Sequence, residues 1–152
     1  MAQALKTDTE DTRAAGWTAA LCEQQPLTAL SRFRLPAPLP KRRDEYAAAV
    51  CDGMIDLAAE LFNVPGRELR APGRNVTAVV RVRQLAMYVA HVALQLTMGE
   101  VGKGFGRDRT TVVHACHLIE DLRDDADFDA VASRLERAAT CLFGRADEDR
   151  SA

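Results

Sequence analysis

From Asp44 onward, apolar residues recur at helical spacing through most of the chain. Ala47, Val50, Cys51, Met54, Ala58, Leu61 and Phe62 share one face of a 3.6-residue repeat. Asp44 and Glu45 suit the positive end of a helix dipole, and Asn63 and Pro65 close the element. Gly53 is a weak point within it. A short turn follows with Leu69 as its apolar anchor, then a basic loop, Arg70-Ala-Pro-Gly-Arg74-Asn75. Thr77 to Leu96 reads as a second long helix. Its start (Val79, Val80, Val82) also fits a strand, but its length and the later Leu85, Met87, Tyr88, Val92 and Leu96 favour helix. Thr97-Met-Gly-Glu100 has capping-box spacing and predicts a short helix through Phe105, with Gly104 and Gly106 marking its end. Asp108 is placed to cap a helix over about 109–123 with the buried stripe Val112, Ala115, Cys116, Ile119 and Leu122. Asp127 is the expected cap of a last helix carrying Phe128, Val131, Leu135, Ala138 and Leu142.

Residues 1–43 have another character. Pro26, Pro36, Pro38 and Pro40 interrupt them, and they end in Lys41-Arg42-Arg43. Trp17 and Leu21 lie on one face of a short helix around 12–25, and the PAPLP run is expected to be extended. The division is therefore a loosely docked arm over 1–43, a compact helical domain over 44–143 and a frayed tail over 144–152. At 152 residues, 47% hydrophobic and only 5% aromatic, the chain has the composition of one helix-packed domain, an all-α bundle. It has no apolar run long enough for a membrane span and no signal-peptide pattern. Cys22, Cys51, Cys116 and Cys141 form no CxxC pair and are expected as reduced, mostly buried thiols of a cytoplasmic protein.

The formal net charge of −2 conceals a polarised distribution. Residues 64–118 carry seven arginines and one lysine against Glu68, Glu100 and Asp108, a net +5. Residues 119–136 carry seven acids against Arg123 and Arg134, a net −5. A local positive patch attracts phosphate even on an acidic molecule.

The basic segment holds a short helix, a glycine-bearing turn and a second helix, the layout of a helix-turn-helix, whose second helix presents its first residues to base edges in the major groove. Arg109 can donate two hydrogen bonds to guanine, and Asp108 can accept from cytosine. Thr110 and Thr111 offer hydroxyls and methyls, Val113 can touch a thymine methyl, and His114 shares a helix face with Thr110. Lys103 and Arg107 are placed for phosphate. Arg81 and Arg83, read from pattern alone, are solvated charges.

Residues 81–116, RVRQLAMYVAHVALQLTMGEVGKGFGRDRTTVVHAC, resemble the carboxy-terminal DNA-binding domain of the bacterial replication initiator DnaA. The family pattern there runs RPRQ-IAMYL, a capped SLxEIG helix, then FGGRDHTTVxHA, and a weaker similarity extends from about Asp44 to Leu142. The resemblance implies a helical bundle with a helix-turn-helix and recognition of a short duplex element, the DnaA box. It assigns base reading to Asp108, Arg109 and Thr110, adjacent groove positions to Thr111, Val113 and His114, phosphate contact to Arg81 and Arg83, and a minor-groove loop to Arg74 or Asn75. Four positions depart from the family. Arg109 replaces a histidine, one glycine (Gly106) replaces two, Val82 replaces the RPRQ proline, and His91 replaces a lysine.

The initiator's ATPase module is expected to have no counterpart here. No G-x-x-x-x-G-K-[ST] is present, and 43 residues before the compact part are too few for such a module. The expectation is a free-standing relative of the initiator's last domain. It would bind double-stranded DNA in the nucleoid-associated cytoplasm and regulate replication initiation or transcription, with no cofactor, metal or catalytic trio. The rival reading is an adaptor that contacts replication-initiation proteins with little DNA binding. Its motive is the net −4 of residues 44–143.

Overall fold

The computed structural model describes residues 39–73 and 75–144. The expected helix over 12–25, residues 36–38 of the PAPLP run, Arg74, Cys22 and the tail beyond Gly144 lie outside the described residues. Among the described residues there are six helices and no strand: α1 (Arg43–Phe62), α2 (Gly66–Arg70), α3 (Thr77–Val92), α4 (Met98–Phe105), α5 (Arg109–Leu122) and α6 (Ala126–Phe143). The protein is all-α, as its periodicity and composition imply.

Burial of the apolar stripes holds the bundle together. α1 contributes Val50, Cys51, Met54, Leu57 and Ala58, α3 contributes Leu85, Met87 and Val89, and α5 contributes Val112 and Ile119, all essentially inaccessible to solvent. Each fully buried aliphatic side chain of this size is worth about 1.5–3 kcal/mol relative to exposure. α3 packs against α1, α5 and α6, and α4 is held between α1 and α5. Gly53 now has a reason. A Cβ there would lie 2.6 Å from two ring atoms of Phe143, so its absence admits the end of α6 onto α1. The Tyr46 hydroxyl donates to the Phe143 carbonyl at 2.9 Å across the same contact.

Several boundaries differ from the sequence expectation. α1 begins at Arg43, which therefore belongs to the bundle and not to the arm: its Nε and Nη2 donate to Glu100 at 2.7 and 2.9 Å, and Nη2 also reaches the Gln95 carbonyl at 3.1 Å. Glu100 at the same time completes the expected capping box, accepting from the Thr97 amide at 2.8 Å while Thr97 Oγ1 accepts from the Glu100 amide at 3.2 Å. The Arg43 hydrogen bond above all, with the Thr97 amide, holds the Glu100 carboxyl down at about 2. One side chain therefore fixes the starts of both α1 and α4.

α3 stops at Val92 instead of Leu96, because the following loop turns through Gln95 in the left-handed region (φ 58). His91 Nδ1 lies 2.7 Å from the Leu96 carbonyl, which places the ring proton on Nδ1 and closes the loop over buried Leu94 and Leu96. Gly104 does not mark the end of α4: it lies inside the helix against Cys51, and Gly106 alone is the cap. The turn around Leu69 is the one-turn helix α2. Asp125, not Asp127, caps α6, accepting from the Phe128 amide at 2.9 Å. Of the described cysteines, Cys51 and Cys116 are buried and Cys141 is exposed. Burial pushes the Cys51 thiol up to about 12, so it is inert at neutral pH.

Candidate nucleic-acid interface

α4 and α5 are joined by three residues, Gly106 to Asp108. Gly106 adopts a left-handed conformation (φ 63, ψ 38), which glycine alone takes without steric cost, and ends α4 there. The Arg107 amide donates to the Gly102 carbonyl at 2.8 Å. A Cβ at Gly102 would stand 2.7 Å from the Arg107 carbonyl oxygen, so the turn lies directly on α4. A serviceable turn is thus made with one glycine where the family pattern has two.

Behind the turn, Val112, Ala115, Cys116 and Ile119 bury one face of α5. The opposite face is set by that burial. Asp108, Arg109, Thr110, Thr111 and His114 are exposed, and Val113 is half-buried beside them. Lys103 is exposed on α4. The structure therefore brings Arg107 and the exposed residues of 108–114 together at the start of α5, whereas Lys103 lines a cavity with Arg43, Asp44, Glu45, Asp52 and Glu100 at the start of α1. Asp108 holds the N-cap position, but its side chain makes no capping hydrogen bond, contrary to the capping expectation. His117 is exposed one turn beyond His114 on the same face. Spacing alone would have included it; the motif ended at His114.

Arg83 is a correction. It was expected to contact phosphate, yet it is only 6% exposed and lies beneath the basic loop. Nε donates to the Leu69 carbonyl at 2.7 Å, and Nη2 reaches the Glu68 and Ala71 carbonyls at 2.8 and 3.4 Å. These are the acceptors left open where the short helix α2 ends. Arg107 donates to the same Ala71 carbonyl at 2.6 Å and is half-buried. Arg81 is half-buried, with Nη1 on Gln84 Oε1 at 3.1 Å. Burial, and for Arg83 also the charge of Arg107, lowers the pKa of both Arg81 and Arg83, which remain cations. Asn75 is turned inward, its Nδ2 on the Glu68 carbonyl at 3.0 Å, whereas Val76 projects, 72% exposed. Arg74 lies outside the described residues.

The charge balance follows from the pairings. Among the described residues, ion pairs take up Arg42, Arg43, Arg70 and Arg123. None takes Arg81, Arg83, Lys103, Arg107 or Arg109, so the turn and loop keep their positive charge. At the other end of α5, Arg123 bonds Asp129 at 2.6 Å and also Glu136, and stacks 5.8 Å from the Tyr88 ring centre. Glu120, Asp121, Asp124 and Asp127 stay exposed there. At 1.5 Å per residue these acids begin roughly 15 Å along the helix from Thr110, about two Debye lengths at physiological salt. They do not cancel the field at Arg109.

The bundle and its exposed turn define a helix-turn-helix protein. Residues 51–119 match the family described as the bacterial dnaA protein helix-turn-helix. The chromosomal replication initiator protein DnaA of Deinococcus deserti is 37% identical over 103 residues, 65% of this chain and 22% of the relative. The protein of that name from Agrobacterium fabrum is 42% identical over 67 residues, 43% of this chain and 14% of the relative. That of Wolbachia pipientis is 29% identical over 97 residues, 62% of this chain and 21% of the relative. The chain thus spans about a fifth or less of the length of these relatives. No solved structure matches it significantly. No helix among the described residues is long and apolar enough to cross a membrane.

Proposed function

We propose that the chain binds double-stranded DNA at a DnaA-box-like element and regulates replication initiation or transcription without hydrolysing ATP, in the nucleoid-associated cytoplasm. The observation that carries this reading is the exposed start of α5, where Asp108, Arg109, Thr110, Thr111, Val113 and His114 stand on one face among cations without carboxylate partners. Lys103, Arg81, Arg107 and, in the loop, Arg74 supply phosphate attraction, which gives affinity but no sequence choice. Base choice rests with Arg109 and its neighbours. Arg109 is longer than the family's histidine and permanently charged, so it suits a guanine edge.

Selection of bound sequences from a random duplex pool at two salt concentrations tests the reading. The expected outcome is one enriched element at both salts, with weaker retention at the higher. Arg109→Ala is expected to weaken that element by about 1–3 kcal/mol and relax a single base pair. The exposed acids at the far end of α5 favour the second reading, an adaptor for replication-initiation proteins. Absence of any enriched duplex, together with retention of such proteins from nuclease-treated extract, would decide for it.

A further inference from the structure

We infer that Arg83 and Arg107 are positioning residues that lock the basic loop to the helix-turn-helix turn through one shared acceptor, the Ala71 carbonyl. This rests on the DNA-reading function above and names the device that sets its geometry.

Ala71 opens the loop that runs through Pro72, Gly73 and Asn75 to Val76. Arg83 approaches its carbonyl from α3 at 3.4 Å and Arg107 from the α4–α5 turn at 2.6 Å. The Arg83 cation and the Arg107 main chain are each fixed independently of the loop. Arg83 is also held by the Leu69 and Glu68 carbonyls, and Arg107 by its own amide on Gly102. Asn75 pins the far end of the loop to the Glu68 carbonyl. The loop's exposed Pro72, Gly73 and Val76 therefore stand at a set position beside the start of α5.

Two guanidinium groups share one oxygen with no carboxylate among the described residues to balance them. Such an arrangement is weakly held by itself and gains when an anion approaches, since each cation raises the other's energy. A phosphodiester lying across the turn and loop supplies that anion. Duplex binding then tightens the clamp and holds the loop at a fixed spacing from the start of α5.

Amide hydrogen exchange of the free protein and base-pair substitution profiles of its preferred duplex test this in two variants, Arg83→Gln and Arg107→Lys. The clamp predicts exchange of the Ala71 amide, which donates to the Arg67 carbonyl where the loop opens, at least about tenfold faster in both variants, with α1 and α6 unchanged. The parent's base-pair preferences are expected to persist in both clamp variants with weaker overall affinity, because base choice rests with the start of α5. The slope of log affinity against log salt should stay at the parent's value in Arg83→Gln. A slope smaller by about 0.9 with unchanged loop exchange would mean that Arg83 meets a phosphate directly, and would overturn the inference. So would unchanged loop exchange in Arg107→Lys. Where Arg83→Gln fails to fold, the charge-conserving Arg107→Lys decides. Loop exchange in free protein judges the clamp whether or not any duplex binds, so its failure is distinct from failure of the DNA reading.

Discussion

Arg83 and Gly102 show what a single residue contributes when its neighbours come from elsewhere in the chain. Arg83 sits in an RVRQ run, and a run of alternating arginines reads as a charged helix face. Its true acceptors are backbone carbonyls of residues 68–71, which no side-chain pattern announces. Arg109 to His114 were legible for the opposite reason. Apart from buried Val112 they face away from the core, so periodicity and residue type alone place them outward. Gly102 has no special dihedral and was silent in the sequence, yet its missing Cβ lets the turn lie on α4. Gly102→Ala must move backbone, not a flexible side-chain tip. It is expected to destabilise the fold by about 1–3 kcal/mol, read as a lower urea midpoint at unchanged slope.

At the scale of elements, α1, α4, α5 and α6 were legible because each has an apolar stripe and polar punctuation near its ends. The misplacements have one cause. Leu94 and Leu96 are buried as a helix stripe would be, but they are buried in a loop, so periodicity carried α3 too far. Asp125 and Asp127 are both good caps by composition, and only the packing of Phe128 selects Asp125. Arg43 was grouped with its basic neighbours because its partner, Glu100, is 57 residues away. That pair makes the junction of α1 and α4 sensitive to acid. The Glu100 pKa is depressed in the folded state, so its stabilisation is fully present above the ordinary carboxyl value near 4.5 and is lost as pH falls toward about 2. Melting temperature should therefore decline across that window, and Glu100→Gln should flatten the decline while lowering stability at pH 7.

For the molecule as a whole, the two ends of α5 carry opposite charge, and that polarity is a consequence of pairing more than of composition. Arg123 neutralises Asp129 and Glu136 and ties α5 to α6, which leaves the remaining acids at the far end and the unpaired cations at the turn. Segment counts along the sequence revealed the polarity. They did not reveal that Arg83 faces inward, so the cations exposed to a duplex are fewer than the count implies. The polarity gives a duplex one favourable approach, along the start of α5. The most direct test is a titration of the isotopically labelled chain with its selected duplex, followed by amide chemical shifts. Perturbations are expected to concentrate at Lys103, Arg107 to His114, His117 and Gly73 to Val76, with the amides of 124–140 little changed. Perturbations centred on α6 or on the exposed face of α1, with residues 107–114 silent, would contradict the account.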